Sequence, residues 1–149
     1  MRIAIGSDDT GPLTDALLAD LQRRGIDVER FGALRDGSQE WVPAARSVGR
    51  AVAGGEADYG IVCCWTGTGV SIAANKVPGA RAALCGDPGT AAGARTWNDA
   101  NVLALSMRAT TPALGEEILA AWLAGTPTTD ERYRGMIRDL AARDKRASG

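Results

Sequence analysis

The chain has no histidine, only one phenylalanine and only three cysteines among its 149 residues. Without histidine, proton transfer near neutral pH has to come from cysteine, a carboxylate or an amine with a shifted pKa. Cys63, Cys64 and Cys85 form an odd set with an adjacent pair, which is a poor disulfide framework and is typical of a reducing compartment. Since a Cys-x-x-Cys pair is also missing, the sequence gives little basis for a zinc or iron site.

The sequence also lacks a strong net charge and a long apolar run. Its formal net charge of −1 removes the basic footprint that nucleic-acid binding requires. No apolar stretch approaches the ~18–20 residues of a membrane-spanning helix, and residues 1–5 predict a strand rather than a signal peptide. We therefore expect one cytoplasmic domain over residues 1–149, with neither a nucleic-acid nor a membrane partner.

What is present is an alternation of short apolar runs and longer helical patterns. The spacing of Leu13, Leu17 and Leu21 predicts an amphipathic helix, whereas the almost continuous apolar run at Asp58–Cys64 is typical of a strand covered on both faces. This alternation predicts an α/β fold with an open parallel sheet and helices on both faces. The predicted strands are Arg2–Ser7, Asp27–Phe31, Asp58–Cys64, Arg81–Cys85 and Val102–Leu105; the predicted helices are Leu13–Arg24, Val42–Ala53, Val70–Asn75, Pro88–Thr96, Thr111–Ala124 and Asp130–Arg143, and Asp144–Gly149 is expected to fray.

The third predicted strand ends in Cys64–Gly69, a Gly-rich turn that opens a helix. Ligands bind beyond the carboxyl ends of the strands in such sheets, and backbone N–H groups at a helix start hold phosphates or developing oxyanions. The signal is weak alone, because the third glycine of a dinucleotide fingerprint and the Lys-Ser/Thr of a P-loop are missing. Cys64 is either a buried apolar residue or a base whose pKa the amide dipoles lower, whereas Cys63 is expected to lie in the core.

Two carboxylates, Asp8 and Asp9, follow the first predicted strand. They are either a pair that works as acid and base or a solvated turn that caps the next helix. The residues alone favour the cap. To serve as an acid near neutral pH, Asp9 would need burial and the like charge of Asp8 to raise its pKa.

Five separated segments carry a more specific pattern: Ile3–Asp8, Gly54–Asp58, Gly60–Lys76, Asn75–Cys85 and Asn98–Leu105. Together they closely resemble the ribose-5-phosphate isomerase type B / galactose-6-phosphate isomerase family, from residue 1 to about residue 137. The resemblance implies a Rossmann-like three-layer sandwich with a five-stranded parallel sheet. It also implies a homodimer or homotetramer with shared active sites, in which the C-terminal helix packs on a partner subunit. The implied reaction is the metal-free and cofactor-free interconversion of aldose and ketose sugar phosphates through a cis-enediolate.

The resemblance also implies roles for individual residues. Cys64 matches the base that moves a proton between C1 and C2, and Thr66 matches the hydroxyl that handles the proton on the substrate oxygens. Asp8 matches a residue that orients substrate hydroxyls. The other implied substrate contacts are Gly67, Thr68, Gly69 and Asn98 around the enediolate and Arg108 and Arg132 at the phosphate.

The chain departs from the family wherever the family has histidine. Asp9 replaces one histidine, and we list it as a candidate catalytic residue. Trp97 replaces the histidine that opens the sugar ring, and Tyr133 replaces the histidine after the second phosphate arginine. A later family arginine falls on Met136, for which Arg134 is the candidate substitute.

Tryptophans occupy several positions that line the family's pocket. Trp65 replaces a glycine between the base and the hydroxyl, and Trp41 begins the segment that replaces Asp-Tyr-Pro. With Trp97 they suggest a reshaped pocket that favours apolar or sugar C–H surfaces. The alternative is drift in a degraded paralogue, while Trp122 is expected to be ordinary helix core.

Three functions follow from these observations. The leading hypothesis is an aldose–ketose isomerase of an open-chain sugar phosphate, such as a tetrulose phosphate, whose C4 phosphate blocks furanose closure. A second is a subunit of a heteromer in which a paralogous partner supplies the missing histidine. A third is a specialised biosynthetic proton transfer, or binding without turnover, on a related polyol ligand that depends less on phosphate.

Overall fold

The computed structural model describes residues 1–147 and alternates strands with helices. The predicted elements are all present, with β1 at its predicted bounds and the other bounds shifted by up to four residues. The strands are β1 Arg2–Ser7, β2 Asp27–Gly32, β3 Tyr59–Cys64, β4 Ala82–Leu84 and β5 Val102–Ser106; the helices are α1 Pro12–Arg23, α2 Trp41–Ala53, α3 Thr68–Asn75, α4 Pro88–Asn98, α5 Pro112–Ala124 and α6 Glu131–Ala147.

All five strands pair in parallel, in the order β2-β1-β3-β5-β4. This confirms the predicted α/β class and the Rossmann-like sheet. The chain extends the sheet in one direction from β1 to β2 and in the other from β3 to β5 and β4. The strand order therefore reverses between β1 and β3, which is where open α/β sheets form a ligand crevice at their carboxyl edge.

Two apolar layers cover the two faces of the sheet, as the three-layer prediction requires. One layer joins the sheet to α1, α4 and α5, and Trp122 lies in it with no exposed surface, which confirms that residue as core. The other joins the sheet to α2 and α3 through small side chains such as Ala45, Val48 and Ala74. The small residues let these two helices lie close to the strands, so that the start of α3 is held firmly against the end of β3.

The C-terminal helix corrects one expectation. Asp144–Gly149 was expected to fray, but α6 continues to Ala147, and residues 148–149 lie outside the described part of the chain. An ion pair one turn apart, between Arg143 Nη2 and Asp139 Oδ2 at 3.0 Å, supports the last turns. Asp144 Oδ2 also accepts a hydrogen bond from the Gly79 N–H at 2.9 Å, which ties the helix to the loop before β4.

The short strand β4 forms one edge of the sheet, and a side chain covers it. Asn75, the last residue of α3, donates from Nδ2 to the Ala82 carbonyl at 2.9 Å and accepts from the Ala82 N–H at 2.8 Å. The amide thus pairs with Ala82 as a neighbouring strand would. Among the described residues, no helix is long and apolar enough to cross a membrane.

Candidate active site

The parallel register brings the ends of three strands together at the carboxyl edge. Ser7 of β1 pairs with Cys63 of β3, and Cys64 pairs with Ser106 of β5. Asp8, one residue beyond β1, therefore lies beside Cys64 at the point where the strand order reverses. A thiol and a carboxylate meet here because the sheet aligns the strand ends, although 55 residues separate them in sequence.

The two adjacent cysteines face opposite sides of the sheet. Cys63 has no exposed surface and lies in the layer with α1, α4 and α5. Burial, with smaller effects from Cys64 and Asp8, raises the pKa of Cys63 to about 12. Cys64 lies in the other layer and is 6% exposed at the end of its strand. The prediction is therefore correct for Cys63, which is core; Cys64 is almost as buried, on the opposite face of the sheet at the end of its strand.

The turn after Cys64 is held by hydrogen bonds to the segment after β5. The Cys64 carbonyl accepts from the Met107 N–H at 2.9 Å, and the Trp65 carbonyl accepts from Ser106 Oγ and the Arg108 N–H, both at 3.0 Å. These bonds fix the backbone, so that the Trp65 side chain projects outward with 67% of its surface exposed. Nothing in the sequence indicated that the two loops would be joined in this way.

The Gly-rich turn has the conformation that its glycines permit. Gly67 has φ +75°, and a Cβ there would lie 2.6 Å from Leu84 Cδ1 and 2.8 Å from a backbone carbon of Leu105. Only glycine fits this position. Thr66 Oγ1 and Thr68 Oγ1 lie 2.7 Å apart and share a hydrogen bond, and α3 begins directly at Thr68. The turn therefore presents two hydroxyls together with the unpaired N–H groups of a helix start.

Trp41 packs on the same turn from the side of α2. A Cβ built on Gly69 would lie 3.1–3.3 Å from three atoms of the Trp41 indole, which shows that the ring covers the glycine. The indole is 41% exposed and forms a wall beside the start of α3. Of the pocket tryptophans in the sequence prediction, Trp41 and Trp65 thus lie at the carboxyl edge.

A cavity of about 370 Å³ opens between the loops after β1 and β5. Asp9, Trp65 and Arg108 line it, together with the first residues of α1 and α5. The sequence analysis predicted helices at both positions but did not include these helix starts among the site residues, although Gly11-Pro12 and Thr111-Pro112 each carry proline at the first helical position, which is a recognisable signal.

Asp8 and Asp9 do not cap α1, so the interpretation that the residues alone favoured is wrong. The cap is Gly11, whose N–H donates to Thr14 Oγ1 at 2.9 Å while the same hydroxyl donates to the Gly11 carbonyl. Burial raises the pKa of Asp8, a backbone hydrogen bond opposes the rise, and the charge of Asp9 adds to it. Asp9 is exposed, and its Oδ1 accepts from the Thr10 N–H at 2.8 Å.

The remaining candidates lie at the opposite edge of the sheet. The Asn101 carbonyl accepts from the Gly60 N–H at 2.9 Å, which places the segment after α4 at the amino end of β3. Trp97 and Asn98 end α4 just before it. The six residues of β3 span roughly 17–20 Å at about 3.3 Å each. Within one chain, Asn98 is therefore on the other edge of the sheet from Cys64.

The α6 candidates accompany Trp97 at this amino edge. The Tyr133 ring lies 4.8 Å from the Trp97 ring between centroids, and the Arg132 guanidinium lies 5.8 Å from the Tyr133 centroid. Arg134 forms a 3.9 Å ion pair with Glu131 on the exposed side of the helix. The predicted site therefore divides into two groups: Asp8, Asp9, Trp41, Trp65, Arg108 and the turn Cys64–Gly69 at the carboxyl edge, and Trp97, Asn98, Arg132, Tyr133 and Arg134 at the amino edge.

Comparisons with known proteins agree on one family. Residues 3–140 match the Ribose/Galactose Isomerase family. Ribose-5-phosphate isomerase B of Escherichia coli is 38% identical over 146 residues, with 97% of each chain covered. D-erythrulose-4-phosphate isomerase of Pectobacterium atrosepticum is 38% identical over 125 residues, with 83% of this chain and 82% of that one covered. The structure of Clostridium thermocellum ribose-5-phosphate isomerase B superposes with a TM-score of 0.91 at 38% identity, over 99% of both chains.

Proposed function

The chain belongs to the ribose/galactose isomerase family, whose members are sugar-phosphate aldose–ketose isomerases, and on that premise we propose that Cys64 is the catalytic base. The observation that carries this proposal is the position of Cys64 at the strand-order reversal, beside Asp8 and directly before the Gly-rich turn. Cys63, the neighbouring thiol, is enclosed in the core.

The proposed reaction moves one proton between two carbons. The Cys64 thiolate takes the proton from C2 of the aldose; the electron pair of the C2–H bond forms the C1–C2 double bond of an enediolate, and the π pair of the C1 carbonyl moves to O1. The thiol then returns the proton to C1, while the Thr66 hydroxyl moves a proton from O2 to O1. The product is the ketose, with no net gain or loss of electrons.

The turn after Cys64 supports this chemistry through preorganised donors. The N–H groups at the start of α3 point at the place where enediolate charge develops, and such donors contribute about 3–4 kcal/mol each to transition-state stabilisation. The 2.7 Å contact between Thr66 and Thr68 holds the Thr66 hydroxyl in one orientation. Asp8 orients the substrate hydroxyls from the adjoining strand end.

A second chain completes the site in this proposal. Asn98 and Arg132 lie on the amino edge, so they reach a Cys64 only if another subunit brings its amino edge to the first subunit's carboxyl edge. A two-fold axis does this reciprocally and builds two sites per dimer. Exposed apolar side chains at both edges support the contact: Trp41 and Ile72 near one, Met136 and Leu140 near the other. Arg108, with Arg132 and Arg134 of the other chain, then holds the phosphate.

We propose a short open-chain sugar phosphate as the substrate. Trp97 has no group that donates or accepts a proton for ring opening. The site therefore needs a substrate whose chain is already open. Trp65 narrows the approach to the 370 Å³ cavity. A tetrulose 4-phosphate meets both conditions, because its C2 ketone has no hydroxyl at the distance that a furanose needs, and the C4 phosphate prevents ring closure of its aldose form. One relative, named D-erythrulose-4-phosphate isomerase, acts on such a sugar by its name.

Proton exchange tests the proposal. The wild-type chain is incubated in deuterium oxide with tetrulose, pentulose and hexulose phosphates, and deuterium at C1 and C2 is followed by mass spectrometry. We expect exchange and isomerisation with the four-carbon substrates at a rate at least ~10-fold above that with the longer sugars. If no sugar phosphate in the panel exchanges, the proposal is wrong.

A second candidate is a subunit of a heteromeric isomerase. The complete absence of histidine and the division of the site between two edges favour it, because a paralogous chain would then supply its own amino edge. Co-purification of a histidine-bearing homologue, together with no exchange by the lone chain, would support the heteromer. Full activity of the lone chain would exclude it.

A further inference from the structure

Two arginines bind the segment that carries Asn98. Asp99 directly follows α4 and has φ +46°, the left-handed region that residues other than glycine rarely adopt. Arg81 donates from Nε to the Asp99 carbonyl at 2.7 Å and from Nη2 to Asp99 Oδ2 at 3.1 Å. Arg95 approaches the other carboxylate oxygen, Oδ1, at 3.5 Å.

Both arginines are themselves held in place. Arg95 is 3% exposed; it donates to the Ala100 carbonyl at 2.6 Å and to the Tyr59 hydroxyl at 2.7 Å, and its guanidinium lies over the Tyr59 ring at 4.4 Å. The backbone N–H of Arg81 donates to Asn101 Oδ1 at 2.7 Å. Asp99 thus links two anchored cations, one from α4 and one from the start of β4.

This arrangement costs stability. A left-handed aspartate is strained, and Arg95 Nε is buried with no hydrogen-bond partner among the described residues, which is also unfavourable. Strain of this kind persists when the surroundings over-determine the conformation, and it concentrates at functional sites. The turn at residues 98–101, called the corner below, is therefore held rigidly at a cost to the stability of the fold.

The three asparagines of the chain differ in how their side-chain amides are used. Asn75 and Asn101 use both ends of their amides on neighbouring backbone groups. Within residues 1–147, the Asn98 amide has no hydrogen-bond partner, and the residue is exposed. Asn98 is thus a free amide on a fixed corner, next to the outward-facing Trp97.

We infer that Asp99, clamped by Arg81 and Arg95, is a positioning residue that fixes Asn98 for the Cys64 site of a second subunit. The inference rests on the proposed function, because it needs an enediolate for Asn98 to meet. Asp99 itself does not touch substrate. A misplacement of about 1 Å costs as much as 100-fold in rate, so the effect of losing the clamp should be large although the residue is remote.

Two substitutions separate the clamp from the backbone strain. Asp99→Gly accepts a positive φ without strain but removes both carboxylate contacts. Asp99→Asn keeps an oxygen for Arg81 and tolerates the left-handed region. We expect Asp99→Gly to lower kcat by about 10- to 100-fold with KM within about 3-fold, and Asp99→Asn to stay within about 3-fold of wild type in kcat. Asp27→Asn, which removes an exposed ion pair with Arg2, is the charge-matched control and should leave both constants unchanged.

Mixed dimers show whether Asp99 acts on the other subunit. Asp99→Gly keeps its own Cys64, and Cys64→Ala keeps an intact corner. Half of the dimers reassembled from an equal mixture are mixed, and each mixed dimer has one whole site, so the mixture should recover about a quarter of the wild-type rate. A defect of folding in Asp99→Gly would give no recovery, and that result overturns the inference, as does wild-type kcat in Asp99→Gly alone.

Amide hydrogen exchange gives a readout that does not depend on activity. A peptide covering residues 97–101 should exchange at least ~10-fold faster in Asp99→Gly than in wild type, with the β1 and β3 peptides unchanged. Unchanged exchange in residues 97–101 overturns the clamp while the proposed isomerase stands. An inactive wild-type chain instead overturns the proposed function and the catalytic part of this inference with it.

Discussion

The adjacent cysteines offer a matched pair of variants, Cys64→Ala and Cys63→Ala. They remove the same sulfur from neighbouring positions that face opposite sides of one strand. The pKa of Cys63 is about 12, so at pH 7.5 roughly one Cys63 thiol in 10⁴ to 10⁵ is ionised. Cys63 therefore has no useful thiolate and no exposed surface, whereas Cys64 keeps 6% of its surface exposed at the carboxyl edge of the sheet.

The expected effects of the two variants differ in kind. Cys64→Ala should lower kcat for proton exchange by about 10² to 10⁴-fold, or about 3–5 kcal/mol in the barrier. It should also reduce the free energy of unfolding by about 1 kcal/mol, because the Cys64 side chain is only 6% exposed and packs in the layer with α2 and α3. Cys63→Ala should leave kcat within about 2-fold and reduce the free energy of unfolding by about 1 kcal/mol, as other losses of one buried heavy atom do.

Deuterium exchange at C1 and C2 of the best substrate measures the first effect, and urea unfolding measures the second. The reasoning is refuted if Cys63→Ala loses as much activity as Cys64→Ala, since the base would then not be set by strand alternation. Exchange that continues at the wild-type rate in Cys64→Ala would assign the base to another group, with Asp8 the nearest carboxylate.

Three further predictions concern stability and specificity. The folded chain raises the pKa of Cys63 to about 12 and that of Cys85 to about 11, against 9.0 for a free thiol. Stability that is complete below pH 9 should therefore fall as the pH rises above 9, by up to ~1.4 kcal/mol per pH unit for each thiol. Urea unfolding from pH 8 to 10.5 measures the slope, which Cys63→Ala should reduce by about half and leave the Cys85 share in place. Gly67→Ala should lower the melting temperature and abolish exchange, because its Cβ would collide with Leu84. Gly93→Ala should instead stabilise α4 by up to ~1 kcal/mol, because its Cβ meets nothing closer than 3.7 Å. Calorimetry measures the melting temperatures of both variants. Trp65→Gly should raise kcat/KM for five- and six-carbon substrates at least ~10-fold relative to four-carbon ones, and an unchanged ratio contradicts a role for the indole in substrate length.

Much of the fold was predictable because its signals are local. The apolar run that ends at Cys64 predicts β3, and the leucine stripe after Pro12 predicts α1. The predicted start of α5 at Thr111 also holds, since Thr111 caps the helix: its Oγ1 accepts from the Leu114 N–H at 3.2 Å. Where the bounds differ, longer-range contacts are responsible: the Asp144 bond to Gly79 extends α6 beyond its predicted end.

The site was predictable only in its carboxyl-edge half. Asp8 and Cys64 follow strands, and strand ends align without further information. Asn98 was assigned to the same site by resemblance, yet a residue that ends a helix just before a strand lies at the amino edge. The clamp on Asp99 could not be predicted, because Arg81 and Arg95 are 14 residues apart in sequence and meet at Asp99 only in the folded chain.

The pairing of Asn75 with Ala82 bears on how copies of this chain associate. An open edge strand is a template on which another chain can add its own strand, and continued addition leads to fibrils. Here the outward N–H and carbonyl of Ala82 are already occupied by one amide. Asn75 thus protects Ala82 against the addition of another chain's strand at this edge of the sheet. Replacing it with alanine would expose that edge, and the protein's colloidal stability, rather than its chemistry, would be the first property to suffer.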